Sequence, residues 1–191
     1  MHDEIPEKIL VTARCFLRPL CPEDLPALAA IMQDPVAMKA YERVFTDAQI
    51  LEWIARNQKR YREKGMGLWA VCLQTDGTVI GQCGIVPQTE SGESFLEIGY
   101  LFRRAFWHQG YATEAAAACR DHAFRRFGCD RVCSIVKHNN FASQAVARRM
   151  GMKVSRRIVY GPLLSDQLHD QFCITRGEWA ALAESPSASR P

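Results

Sequence analysis

The stretch Phe102-Arg103-Arg104-Ala105-Phe106-Trp107-His108-Gln109-Gly110-Tyr111-Ala112-Thr113-Glu114-Ala115 decides the fold. An apolar run over 97–102 leads into it, and an alanine-rich helical pattern over 111–127 leads out. An extended segment therefore enters a short loop that opens directly into a helix. Such a junction gathers free backbone N–H groups and the positive end of a helix dipole at one spot. That spot suits a phosphate. Gly110 has no Cβ to hold a ligand away from its backbone, and small Ala112 keeps the next turn open. The alternative is ordinary turn chemistry at a strand-to-helix corner. Neither G-x-x-x-x-G-K-[ST] nor G-x-G-x-x-G occurs in the stretch, which argues against a P-loop NTPase or a Rossmann dinucleotide site.

Outward from this corner, the chain punctuates itself clearly. Residues 12–20 alternate as a first strand, ended by Pro19. Pro22 then opens a helix with Glu23 and Asp24 in its first turn, and Leu25, Leu28, Ala29 and Met32 form its apolar stripe. Pro35 interrupts, leaving 34–45 as an irregular connection. Thr46-Asp47-Ala48-Gln49 matches a capping box. The helix it starts places Ile50, Trp53, Ile54, Asn57 and Tyr61 on one face, and Gly65 and Gly67 end it. Its Arg56, Lys59, Arg60, Arg62 and Lys64 read as a solvated face, the alternative being a landing surface for an acidic partner.

Residues 68–74 and 78–87 flank Thr75-Asp76-Gly77, a hairpin signal. A second polar turn over 90–94 leads to 95–102. Three strands joined by short turns predict an antiparallel meander. After Gly110 a helix buries Ala112, Ala116, Cys119, Ala123 and Phe127 and stops at Gly128. Residues 131–136 form a buried strand that must run parallel to the one before the helix. Asn140 caps a helix through Met150, with Gly151 just beyond it. Residues 153–160 and 168–175 pair around Gly161-Pro162. The expected organisation is a loose tail over 1–8, one domain over 9–183 and a disordered tail over 184–191, with no internal repeat.

Composition narrows the class. A chain of 191 residues with 48% hydrophobic and 24% charged residues is an ordinary globular protein. Its net charge of +3 does not argue for a nucleic-acid partner. There is no signal-peptide layout and no apolar run that could span a bilayer, so no membrane partner is expected. The eight cysteines lack C-x-x-C spacing. They read as buried free thiols, and hence as a reducing cytoplasmic setting. The five histidines lack ligand spacing, so no metal site is expected.

The segment Trp107-His108-Gln109-Gly110-Tyr111-Ala112-Thr113-Glu114-Ala115 resembles the acetyl-CoA pyrophosphate loop of the GNAT acetyltransferases. It is most similar to the branch containing the Rim-type ribosomal-protein N-terminal acetyltransferases. Glu97-Ile98-Gly99-Tyr100, Asn140-Phe141-Ala142-Ser143 and Gly151-Met152 extend the resemblance over residues 12–179. It implies an α+β GNAT fold: a central, mostly antiparallel mixed sheet with one splayed parallel strand pair, flanked by helices. The element order read above agrees.

The resemblance also implies acetyl-CoA as donor and a primary amine as acceptor, most plainly a peptide or protein N-terminus. Alternatives are a small amine (polyamine, amino acid or antibiotic) or a non-catalytic CoA-binding module. The backbone of His108, Gln109, Gly110, Tyr111, Ala112 and Thr113 would hold the diphosphate, with Arg103 or Arg104 adding charge. His108 replaces the first glycine of the pattern. Tyr100, Leu101 and Phe102 would grip pantetheine, the strands parting at Phe102, and 138–143 would form the opposite wall. Asn140 and Ser143 would also contact the cofactor.

An α-amine titrates near 7.7–8.0, far below a lysine side chain, so a weak base or a water chain suffices to deprotonate it. Glu97 is the candidate base. Many GNAT enzymes place an acidic tyrosine seven residues after the asparagine cap, where this chain has Ala147. Ser143 is the candidate donor to the leaving sulfur, with Tyr111 and Tyr160 as alternatives. Acceptor choice would rest on 34–64 and 160–169. A monomer or a homodimer is equally compatible with these features.

Overall fold

The computed structural model describes residues 7–90, 92–159 and 168–184. The meander forms as its turns predict: β3 (Leu68–Leu73), β4 (Val79–Glu90) and β5 (Glu93–Phe102) pair antiparallel in sequence order. Ahead of them lie β1 (Leu10–Val11), β2 (Cys15–Arg18), α1 (Leu25–Met32) and α2 (Asp47–Lys64). After them come α3 (Tyr111–Phe127), β6 (Arg131–Lys137), α4 (Phe141–Arg149), β7 (Lys153–Val159), β8 (Leu168–Thr175) and α5 (Arg176–Glu184). The strands form one sheet in the order β1-β2-β3-β4-β5-β6-β8-β7. Among the described residues, only β5 and β6 pair in parallel. This is the mixed α/β GNAT arrangement.

Helices cover the sheet on two faces. On one, Ala115, Ala116, Cys119, Ala123 and Phe124 of α3 pack with Ile98 and Phe102 of β5, with Val146 and Ala147 of α4 and with Met150 at its C-cap. Ala112 and Phe127, expected to be buried, are only half-buried; the buried face of α3 is turned towards Ala115 and Phe124. On the other face, Leu28, Ile31, Met32, Ile50 and Ile54 of α1 and α2 pack on Phe16, Ala70 and Cys72. The α2 cap forms as its sequence dictates. Thr46 Oγ1 accepts from the Gln49 N–H at 3.3 Å, and Gln49 Oε1 accepts from the Thr46 N–H at 2.9 Å. Gly84 has no side chain because a Cβ there would stand 2.0 Å from the Gly67 carbonyl oxygen.

Three expectations need correction. Residues 12–20 are not one strand. The chain turns at Thr12–Arg14 between β1 and β2, for a reason that belongs to the site below. The cysteines are not all free: Cys133 and Cys173, directly opposite each other on β6 and β8, form a disulfide. Inference of a reducing setting from cysteine usage therefore lapses. A fifth helix, α5, follows β8 and stacks Trp179 on Phe124 at 4.9 Å between ring centroids. The expected pairing of 153–160 with 168–175 forms, with β8 lying between β6 and β7. The tail expectations fall outside the described residues over 1–6 and 185–191, as do Tyr160, Gly161 and Pro162. No helix among the described residues is long and apolar enough to cross a membrane.

The link between β2 and α1 carries a buried ion pair. Arg18 meets Asp24 in a fork at 2.7 and 2.8 Å, and Asp24 also accepts from the Cys21 N–H. The hydrogen bond to Asp24 raises the already high guanidinium pKa. Removing one partner strands the other charge, with Asp24 only 3% exposed and the Arg18 side chain 12%. Asp24→Ala is expected to lower stability by about 3–5 kcal/mol, read by urea unfolding.

Candidate active site

The corner at Gly110 is built as the sequence predicts. β5 ends at Phe102, a short 3-10 turn covers Arg104–Phe106, and α3 begins at Tyr111. Gly110 is its N-cap at φ 83°, and no side chain caps the helix. The first-turn N–H groups have no intrahelical acceptors. His108 stands at φ 60°. The residue replacing the first glycine thus keeps a glycine-like backbone, with its side chain exposed. A left-handed conformation costs a non-glycine residue about 1–2 kcal/mol, partly offset by glycine's greater unfolded freedom. His108→Gly is expected to stabilise the protein by about 1 kcal/mol in urea unfolding.

Reading the sequence missed what holds this loop. Arg14, at the β1–β2 turn, donates from its guanidinium to the Gln109 carbonyl at 2.9 Å and to Glu114 Oε2 at 2.7 Å. It lies 4.2 Å over the Tyr111 ring. Glu114 Oε1 also accepts from the Thr12 hydroxyl at 2.6 Å and from the Arg14 N–H at 2.8 Å. These bonds lower the Glu114 pKa despite its partial desolvation. They also break the first strand, since Thr12 and Arg14 turn to reach α3. No local signal marks such a brace; its partners are about a hundred residues apart.

Elsewhere in the loop, Trp107 Nε1 donates to the Phe102 carbonyl at 2.8 Å, and Gln109 Nε2 to the Ala105 carbonyl at 2.9 Å. Arg104 pairs with Asp34 at 2.8 Å, tying the loop to the connection after α1. Arg103 lies over Phe106. Tyr111 sits between Arg14 and Phe106.

The splay opens earlier than expected. The parallel ladder holds at Leu96↔Val132 and Glu97↔Cys133, and no register pair follows. The strands part after Glu97, not at Phe102. Two side chains wedge the opening. The Ser134 hydroxyl donates to the Ile98 carbonyl at 2.8 Å, and Glu97 Oε1 accepts from the Ile135 N–H at 3.4 Å. A polar group from each strand thus replaces a rung of the ladder.

Alternation places the two candidate catalytic groups on opposite faces. Leu101 packs with the α1–α2 cluster, whereas Ile98, Tyr100 and Phe102 pack with α3 and α4. Glu97 shares the face of Leu101. Its Oε2 accepts from Gln88 Nε2 at 2.6 Å. Burial raises the Glu97 pKa, against the lowering effect of its bonds from Gln88 and Ile135.

Tyr100 points the other way and donates its hydroxyl to the Ser143 carbonyl at 2.9 Å, fastening α4 across the gap. Burial pushes the Tyr100 phenol up. Ser143 donates its N–H to Asn140 Oδ1 at 3.2 Å as part of the α4 cap, and its hydroxyl has no partner among the described residues. Ala147 is fully enclosed in the core. Tyr111 stays with the loop, and Tyr160 lies outside the described residues. No cluster of three His, Cys, Asp or Glu suited to a metal occurs among the described residues.

An unlatched parallel pair beside an uncapped helix start is the framework of an acyl-CoA-using transferase. The model of the acetyltransferase (GNAT) domain matches residues 14–153, and the chain belongs to that family. It is an N-acetyltransferase.

Among its relatives is an uncharacterized protein of Bacillus subtilis, YkkB. It is 38% identical over 152 residues, which cover 78% of this chain and 87% of that protein. The FsC-acetyl coenzyme A-N(2)-transacetylase of Aspergillus fumigatus is 29% identical over 194 residues, covering 95% of this chain and 81% of that one. Among solved structures, RimL, a ribosomal L7/L12 alpha-N-protein acetyltransferase in complex with coenzyme A, superposes with a TM-score of 0.72 at 20% identity. The match covers 88% of this chain and 98% of RimL, and shows likeness of fold.

Proposed function

We propose that the chain transfers an acetyl group from acetyl-CoA to the α-amine of a peptide or protein N-terminus. The observation that carries this reading is the position of Glu97 where β5 and β6 part, its carboxylate held by Gln88 and the Ile135 N–H and its pKa raised by burial. A carboxyl raised by burial is a closer match for an α-amine near 7.7–8.0 than for a lysine-type amine near 10.4. The fold shared with RimL points the same way. A second reading, a small-molecule amine, is favoured by the FsC transacetylase relative.

In the first reading, backbone N–H groups of residues 109–113 hold the diphosphate, and the Arg14 brace keeps their loop in shape. Glu97 takes a proton from the ammonium, directly or through a water. The freed nitrogen attacks the acetyl carbon from the α2 face. Ser143, on the α4 face, donates towards the sulfur as the carbon–sulfur bond breaks.

Thiol release from acetyl-CoA, followed with a peptide panel and a polyamine panel, tests the assignment. Turnover confined to peptides supports it; turnover confined to polyamines moves the protein to the second reading. Ser143→Ala is expected to lower kcat by about 10- to 100-fold while leaving acetyl-CoA affinity unchanged by calorimetry. The reverse pattern would make Ser143 a helix cap only.

A further inference from the structure

Val86 of β4 stands directly opposite Glu97 of β5, and Gln88 stands opposite Phe95. Cross-strand partners share a face, as do residues two apart along a strand, so Gln88 and Glu97 are diagonal neighbours on one face of the sheet. Gln88 is half-buried there, and its Nε2 donates to Glu97 Oε2 at 2.6 Å. An ionised carboxylate only accepts, so the Gln88 amide must present its NH2 group to it. The other oxygen, Oε1, accepts from the Ile135 N–H of β6 at 3.4 Å, beyond the last rung of the parallel ladder. The two oxygens of Glu97 are thus divided between the strands on either side of β5.

The two bonds are unequal. That from Gln88 is short and charge-assisted, whereas that from Ile135 is long for its type. A proton placed on Oε2 would weaken the short bond. On Oε1 it sacrifices only the long one, and Oε1 is the oxygen beside the parted strands.

Resting on the acetyl-transfer reading above, we infer that Gln88 is a positioning residue: it holds Oε2 on the β4 side and leaves Oε1 to take the proton of the acceptor ammonium. The N–H bond breaks, its electron pair stays on the nitrogen, and the proton ends on Oε1. The bond from Gln88 also favours the charged carboxylate, against the effect of burial. Nearby groups leave this balance to Gln88. Cys133, across the rung on β6, is held in the disulfide. Lys137, further along β6, pairs with Glu42, and burial pushes the Tyr100 phenol up.

The experiment measures kcat against pH in the wild type and in Gln88→Met, a change of similar length without the donor. The acceptor is whichever of a tripeptide and spermidine the wild type acetylates, at saturation. Losing a bond made to the charged form raises the carboxyl pKa, so the acid limb is expected to move to higher pH. At neutral pH kcat is expected to fall about ten-fold or more and to recover in part as pH rises, with acetyl-CoA affinity retained. Should Gln88→Met fail to fold, Gln88→Asn serves: it keeps the amide on a shorter arm, and the limb is expected to move the same way by less. A residue that only filled space would leave the limb in place, so an unmoved limb in the folded variant overturns the inference. In a Glu97→Gln background, Gln88→Met is expected to cost little further kcat; a full ten-fold loss there overturns it equally. Glu97→Gln protein with the wild-type kcat and acid limb sinks the base assignment and this inference together, as does wild-type protein inert with both amines. Loss of turnover in Glu97→Gln beside wild-type behaviour in Gln88→Met sinks this inference alone.

Discussion

Replacing Glu97 with glutamine is expected to cut kcat by about 10²- to 10⁴-fold and at the same time to raise the unfolding midpoint. Both effects follow from one cause. Burial lifts the carboxyl above its ordinary value of 4.5. The folded state therefore holds this proton more tightly than the unfolded chain does. The stability tied to this group is fully present below the unfolded pKa and is lost as pH rises through the folded one. Burial disfavours the charged carboxylate, and glutamine removes that cost. The two proteins should converge in midpoint as pH falls below 4.5. In kinetics, the acid limb of kcat at saturating acceptor should lie above the ordinary carboxylate range in the wild type and vanish in Glu97→Gln. A variant that loses stability along with turnover would make Glu97 a strut of the splay rather than its base.

Gly110→Asp should weaken acetyl-CoA binding about 100-fold or more by calorimetry. At φ 83° an aspartate is strained whatever the space around it. Its Cβ would also stand 3.4 Å from the Arg14 guanidinium, so the new carboxylate has a ready partner within the loop. It would place negative charge at the positive end of α3, where a diphosphate needs the opposite. Gly110→Ala separates the terms, since it keeps the strain, about 1 kcal/mol or more, and adds no charge. Binding by Gly110→Asp as tight as by the wild type would remove this corner from the cofactor site.

Features written in neighbouring residues were legible in the sequence. The Thr46–Gln49 cap, the Thr75-Asp76-Gly77 turn, the meander and the Gly110 start of α3 each depend on a few consecutive side chains. What escaped depends on distant partners. Thr12 and Arg14 look like strand residues until Glu114 is beside them. The splay point was expected at Phe102, where the loop begins, but Ser134 and Glu97 open the strands sooner by bonding across to the opposing backbone. Cys133 and Cys173 looked like small core residues because their pairing depends on β8 entering beside β6. For the site, Glu97, Ser143 and Asn140 were proposed through resemblance, whereas Arg14 carries no motif. Its significance arises only where the fold sets it against the loop and Glu114.

The position of β8 bears on how such a protein comes to work during synthesis. One bank of the parted strands, β6, is flanked on its far side by residues 168–175, and the start of α3 is steadied by Thr12 and Arg14 through Glu114. Contacts so distant along the chain form slowly and late. A nascent chain that has emerged as far as α4 already contains the Gly110 corner, yet nothing flanks β6 on its far side. The newly made enzyme should stay silent until nearly its last described strand has left the ribosome.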